Sequence, residues 1–294
     1  MRKRQTRKNL VGYLFLSPWL IGFLSLTLIP MCASFYFSFC NYDMLTPARF
    51  VGFANYTRMF GDRKFLQALR VTFAYVGLSV PIQLVFALML ACVFKRDRKG
   101  VKLYRAVYYL PSLLGGSVAI SILWKRLFVS DGMMNKLLGL FGIVSTKNWI
   151  ASVDTALGTL IVLAVWQFGS SMVIFLSSLK QIPNEYYEAS EIDGAGKARQ
   201  FFRITLPLLT PMVFFNIIMT IINAFQAFTP AYIISGGDGS PMNATLFYTL
   251  YLYNKGFGEL RMGYASALAW FLLLLIAAVT GLLFGTSRKW VYYD

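Results

Sequence analysis

The chain has 294 residues, 57% of them hydrophobic and 14% charged, where an ordinary soluble domain carries about 25% charged residues; this composition points to an integral-membrane protein and leaves no room for a large soluble enzyme. Histidine is absent, which removes histidine acid–base catalysis, most zinc sites and the common Ser-His and Cys-His nucleophile pairs. The formal charge of +16 raises nucleic-acid binding, but cytoplasmic loops of a membrane protein are also rich in Lys and Arg, so the distribution of charge decides.

A bilayer core of roughly 30 Å needs about 20 apolar residues in a helix. Six runs meet that length, at about 11–36, 71–94, 107–128, 155–179, 209–235 and 264–285. The N-terminal MRKRQTRK precedes a run too long for a signal-peptide core and without a small-residue cleavage pattern, so it is expected to stay attached and inside. Pro18 and Pro30 predict a kink in this first span. With that orientation the inside segments (the N-terminus, 95–106, 180–208 and the C-terminal tail) hold 5, 6, 4 and 2 Lys/Arg, and the outside loops hold 5, 2 and 2. The bias places both termini in the cytoplasm. The first outside loop is itself basic, and its Phe50, Phe53, Tyr56, Phe60 and Phe65 are available to pack on the outer surface or on a partner. The expected organisation is a cytoplasmic N-terminus over 1–10 and a single six-span domain over 11–294. Cys32, Cys40 and Cys92 lie in or beside apolar runs at no metal-like spacing and read as small hydrophobes.

The fourth run offers Trp166, Gln167, Ser170 and Ser171. In the fifth, Asn216, Thr220 and Asn223 share one helical face with Gln226 beside it, and Pro230 is able to loosen the helix. Each of these polar residues is either hydrogen-bonding glue between spans or part of a polar pathway. Trp166, Gln167, Ser170, Asn216, Thr220, Asn223 and Gln226 together are the candidate pathway, suited to uncharged, hydroxyl-rich solutes. Ionisable residues are missing from the interior of these spans, which disfavours a proton or ion relay.

Between these runs lies the polar segment EYYEASEIDGAGKARQFFRITLP, residues 185–207. Pro183 and Asn184 open a helix, Gly194 and Gly196 supply left-handed turn residues, and a second short helix from Lys197 to Ile204 leads to Leu206-Pro207. Glu185, Glu188 and Glu191 recur every three residues and form one acidic ridge. No poised base or metal-ligand set accompanies them, so the segment is either a solvated loop or a surface that docks on a basic cleft of a soluble partner. GAGK at 194–197 is no phosphate-binding loop, because Glu191 and Ala198 stand where that pattern needs Gly and Ser or Thr. Asn243-Ala244-Thr245 fits the N-glycosylation pattern, but the surrounding glycines read as a flexible outer loop.

Glu188-Ala189-Ser190, then Gly194, Ile204 and Leu206-Pro207, resembles the EAA loop of permease subunits of binding-protein-dependent ABC importers. The string IPNEYYEASEIDGAGKARQFFRITLPLLTP, with FVGFANYTRMF, YRAVYYLPSLLGG, WQFGSSMVIFLSSL and MGYASALAWFLLLL elsewhere, is similar to the sugar-importer branch, the maltose and glycerol-phosphate permease type. The resemblance implies an all-α integral membrane fold of six transmembrane helices, the type I ABC importer permease fold, with a cytoplasmic coupling helix in a loop at about 180–208. Implied coupling residues are Glu185, Glu188, Ala189, Ser190, Glu191, Asp193, Gly194, Leu206 and Pro207. Glu188 would pair with a basic residue of a cytosolic ATPase, Ala189 and Ser190 would pack closely, Gly194 would make the turn, and Leu206-Pro207 would set the join to the span. The chain would be a non-catalytic subunit that binds no cofactor, ATP and Mg being held by the ATPase. Implied partners are a second similar permease, two ATPase subunits and an extracytoplasmic binding protein, in a bacterial or archaeal cytoplasmic membrane, with a sugar, oligosaccharide or related polyol as cargo. A self-contained secondary carrier or channel for a polar solute is the alternative.

Overall fold

The computed structural model describes residues 2–95 and 99–292, with side chains from Tyr13 onward. Arg96 and Arg98, counted above with the inside segments, lie outside the described residues. Apart from one two-residue strand pair, β1 (Cys40–Asn41) with β2 (Arg49–Phe50), the regular elements among the described residues are helices. Five helical stretches are long and apolar enough to cross a membrane: Tyr13–Ser38, Arg63–Phe94, Val153–Gln181, Lys197–Ser235 and Met262–Ser287.

The third expected span is different. It is a helix pair, α5 (Val101–Leu114) and α6 (Val118–Leu127), bent by 101°. Gly115 and Gly116 weaken the helix here, and Ser117 restarts it: its hydroxyl accepts from Ile120 N–H at 3.3 Å. The count is therefore five spans, or six if the bent pair crosses once.

The chain divides into two compact units. The first, residues 1–62 with 252–273, contains α1 (Arg2–Phe23), α2 (Ile29–Ser38), α3 (Ala54–Gly61) and the first turns of α15 (Met262–Ser287). Pro18 sits inside α1. Pro30 has no N–H to offer, and its ring would crowd the carbonyl four residues back. The backbone widens there into a π turn over Leu24–Leu28, with Ile29 N–H reaching Leu24 O. The Asn55 amide ties the strand pair to α2 by donating to both Ser38 O and Cys40 O at 2.9 Å. The Phe35 and Trp270 rings meet edge to face at 4.8 Å, and Phe53 and Tyr56 pack on Phe39.

The second unit, residues 63–251 with 274–294, is organised around α4 (Arg63–Phe94), which packs on α8 (Val153–Trp166), α9 (Gly169–Gln181) and α12 (Leu206–Phe225). Buried residues of α4 recur at helical spacing, including Phe65, Ala68, Thr72, Tyr75, Ser79, Ala87 and Ala91. Fully buried Ala68, Ala87 and Ala91 let neighbouring backbones come close, as spans without a water-driven force between them require. Shorter elements complete this unit: α7 (Met133–Leu140), α10 (Glu185–Ile192), α11 (Lys197–Gln200) and α13 (Thr229–Ser235). Helix α14 (Tyr248–Tyr253) is fastened at its first residue, where Tyr248 N–H donates to Thr72 Oγ1 at 2.8 Å.

Candidate coupling loop and polar cavity

Helix α10 begins at Asn184, whose backbone carbonyl accepts from Tyr187 N–H and Glu188 N–H at 2.9 and 3.0 Å, while its side chain makes no cap bond. The helix ends where Gly194 takes φ +74°, with Gly194 N–H on Glu191 O and Ala195 N–H on Ser190 O. Gly196 is extended (φ −70°, ψ 163°), so only one of the two expected left-handed glycines is left-handed.

The three glutamates do not behave alike. All three are exposed, but Glu191 turns back across the glycine turn and pairs with Lys197, whereas Glu185 and Glu188 face outward. The hydrogen bond from Lys197, reinforced by one from Gln200, holds the Glu191 carboxyl below its ordinary range. The ridge that continues outward is Glu185, Glu188 and then Ile192, which is 88% exposed.

The inner side of α10 is fastened to the rest of the unit. Gln200 is buried, and its amide donates to Ser190 Oγ at 3.0 Å and to Tyr187 O at 3.3 Å. The Tyr187 and Thr205 hydroxyls lie 2.9 Å apart, and the Lys95 ammonium sits 4.2 Å from the centre of the Tyr187 ring. Ser190 is thus engaged inward, its hydroxyl donating to Tyr187 O at 2.8 Å, while Ala189 and Asp193 are exposed. Sequence reasoning missed Tyr187, Gln200, Thr205 and Lys95.

The short helix expected to stop at Ile204 does not stop. After α11 the backbone passes through a π turn at Phe201–Thr205, with Leu206 N–H on Phe201 O, and continues as α12 with Pro207 in its first turn. As at Pro30, the widened turn lies just ahead of a proline. The join at Leu206-Pro207 is therefore continuous helix, which carries the base of the loop directly into the span.

Elsewhere in the same unit a cavity of about 550 Å³ is lined by Gln167, Ser170 and Ser171 of the fourth run and by Asn216, Thr220, Asn223 and Gln226 of the fifth. Six of the seven candidate pathway residues meet here. Trp166 does not line the cavity; its ring packs 5.7 Å from that of Trp124. The reason is local: the helix breaks at Gln167, so that α8 ends and α9 begins within three residues. Asn216 is buried and donates to Met212 O of its own helix at 2.9 Å. The cavity also takes Tyr75, Ser79 and Gln83 from α4 and Ser112 from α5, none of which was expected. No Asp, Glu, Lys or Arg lines it. A second, larger cavity of about 970 Å³ is lined without a single amide or hydroxyl side chain and offers nothing to a hydroxyl-rich solute.

Outside these regions, the glycine-rich segment after α13 is ordered by Asp238. A hydrogen bond from the Ser240 hydroxyl at 2.7 Å, and a second from Ser240 N–H, hold its carboxyl below the usual range.

Residues 51–292 match the family described as "Binding-protein-dependent transport system inner membrane component". The chain is 50% identical over 295 residues to the "Probable ABC transporter permease protein YesP" of Bacillus subtilis (strain 168), covering 100% of this chain and 96% of that one. It is 31% identical over 283 residues to the lactose transport system permease protein LacF of Rhizobium radiobacter, covering 95% and 94% of the two chains. A chain in the crystal structure of the bacterial alginate ABC transporter in complex with alginate pentasaccharide-bound periplasmic protein superposes with a TM-score of 0.83, at 20% identity and with 97% and 96% coverage. That last likeness concerns the fold alone.

Proposed function

We propose that this chain, which belongs to the family of binding-protein-dependent transport system inner membrane components, forms half of the translocation pathway of an ATP-driven importer for a sugar, oligosaccharide or related polyol. As a permease component it does not hydrolyse ATP. On this reading α5 and α6 together make one crossing, which gives six spans in a single domain over 11–294, follows a cytoplasmic N-terminus over 1–10, and leaves both termini inside a bacterial or archaeal cytoplasmic membrane. A second, similar permease supplies the other half, two cytosolic ATPase subunits hold ATP and Mg, and an extracytoplasmic binding protein delivers the solute.

The observation that carries this reading is the two-sided character of α10. Its outer side offers Glu185, Glu188 and Ile192, while its inner side is hydrogen-bonded through Tyr187 and Ser190 to Gln200 and Thr205 at the base of α12. A rigid-body displacement of α10 is thereby passed to a span that lines the polar cavity. Glu188, exposed and central on α10, is the residue assigned to a basic side chain of the ATPase. Ala189 packs at that contact, Glu185 and Asp193 flank it, Gly194 turns the chain, and Leu206-Pro207 links the loop to the span. The relative named for lactose transport supports the cargo class, as does a cavity of amides, hydroxyls and aromatic rings with no Asp, Glu, Lys or Arg in its lining. Affinity isolation of the tagged chain from its own membranes tests the assembly. Recovery of an ATPase and a second permease with the wild type, and loss of the ATPase in Glu188→Lys, is expected; recovery of the wild-type chain with neither partner would overturn the reading.

A further inference from the structure

The break in the fourth span is held open by residues of two other helices. The Gln167 carbonyl accepts from Ser112 Oγ of α5 at 3.0 Å and from Gln83 Nε2 of α4 at 3.1 Å. Ser112 Oγ in turn accepts the Ser170 N–H at 3.0 Å. One hydroxyl therefore serves both edges of the break, taking a main-chain donor from the start of α9 and giving a proton to the main-chain acceptor at the end of α8.

Two glycines make room for this arrangement. A Cβ on Gly169 would lie 2.7 Å from Ser112 Oγ and 2.6 Å from Tyr108 O, so α5 and α9 approach each other as closely as they do only because residue 169 has no side chain. A Cβ on Gly115 would lie 2.1 Å from Gln167 Cδ, so the Gln167 side chain occupies the space left at the bend between α5 and α6. The bend in the third run and the break in the fourth are thus one feature, joined at Gln167. The Gln167 amide is oriented further by donating to Leu163 O at 3.3 Å.

We infer that Ser112 and Gln83 are positioning residues: by holding the Gln167 carbonyl out of the helical ladder they keep the fourth span broken and turn Gln167 and Ser170 toward the polar cavity. A carbonyl released from both side chains is free to take a main-chain N–H one turn on. The span then closes into continuous helix, and residue 167 rotates with it. That Gln167 and Ser170 thereby face a solute rests on the pathway reading given above; that Ser112 and Gln83 aim them does not.

The test reads position directly. Gln167→Cys keeps the carbonyl on which the clamp acts, and Asn223→Cys reports from the opposite wall. Each is labelled with N-ethylmaleimide in membrane vesicles, counted over the parent chain with its own Cys32, Cys40 and Cys92. Adding Ser112→Ala or, separately, Gln83→Leu should slow labelling at 167 by about fivefold, the factor carried by one hydrogen bond of ordinary net strength, and leave labelling at 223 unchanged. Equal labelling at 167 with and without these substitutions, or an equal fall at both positions, would overturn the inference. Solute uptake by Asn223→Ala and Thr220→Val vesicles separates the two claims. Unchanged uptake removes the pathway reading while the labelling pattern stands, and altered uptake with flat labelling removes the clamp alone.

Discussion

The side-chain amide of Gln200, buried where α11 meets the π turn, donates to the hydroxyl of Ser190 on α10 at 3.0 Å. This contact spans the glycine turn and makes the loop one body. Its consequence is that the small residue after Ala189 serves the inside of the loop, and the partner-facing surface is narrower than the acidic periodicity alone implies.

Gln200→Leu should therefore uncouple without unfolding. Loss of the bonds to Ser190 and Tyr187 costs on the order of 1–3 kcal/mol, because one of the freed acceptors remains partly buried. Membrane insertion and basal ATP hydrolysis by the assembled transporter should persist, while solute transported per ATP hydrolysed falls. An unchanged ratio would show that α10 needs no anchor at Gln200.

Charge at Glu188 and at Glu191 should matter unequally. Glu188→Lys places like charge against a basic partner and should weaken capture of the ATPase at least tenfold, since breaking a desolvated charge pair at an interface costs about 2–5 kcal/mol. Glu191→Gln should leave capture nearly intact, because Glu191 is committed to Lys197. Titration of ATPase into nanodiscs bearing each variant measures the difference.

Acid should loosen the turn through Glu191. Its carboxyl is held below the ordinary value of 4.5 by Lys197 and Gln200. A carboxylate with a lowered folded-state pKa contributes stability above its unfolded value and loses it as pH falls through the folded one. Amide exchange over 190–197 should be slower in the wild type than in Glu191→Gln at neutral pH, and the two should converge as pH falls from that ordinary value through the lowered folded-state one. The exposed pair sets a local, not a global, stability.

Glycine substitutions should rank by mechanism. A Cβ at position 194 meets no atom within 4 Å, yet Gly194→Val forces a branched residue to φ +74°, at a cost of roughly 1–2 kcal/mol or more. Gly115→Ala retains ordinary dihedrals but collides with Gln167, an overpacking of about 1–3 kcal/mol. Gly158→Ala, in α8 with open space around it, should be neutral or stabilising by up to about 1 kcal/mol. Thermal unfolding of the three variants in detergent checks the order.

Much of this was legible in the sequence because helices of single character announce themselves. The spans built on 71–94, 155–179 and 264–285 follow from apolar length, and the Asn216, Thr220 and Asn223 stripe follows from a period of 3.6 residues. What was hidden depends on backbone that departs from that period. The turn at Gly115 and Gly116 converts an expected span into a bent pair, and the break at Gln167 sends Trp166 to Trp124 while Gln167 faces the cavity. Tyr75, Ser79 and Gln83 do form a stripe at four-residue spacing, but Ser112, which joins Gln83 at the Gln167 carbonyl, belongs to a helix that the pattern joined to its successor. Gln200 and Tyr187 look like ordinary surface residues until the glycine turn folds one against the other.

The central claim is that ATP bound elsewhere drives solute through a pathway to which this chain contributes one half, by way of α10. Proteoliposome uptake, measured with the complete assembly and with the chain by itself, tests it most directly. Uptake by the wild-type assembly should require ATP and the binding protein, and should be lost in the Glu188→Lys assembly and in the chain reconstituted without partners. Full uptake by the chain without ATP, ATPase or binding protein would contradict the account.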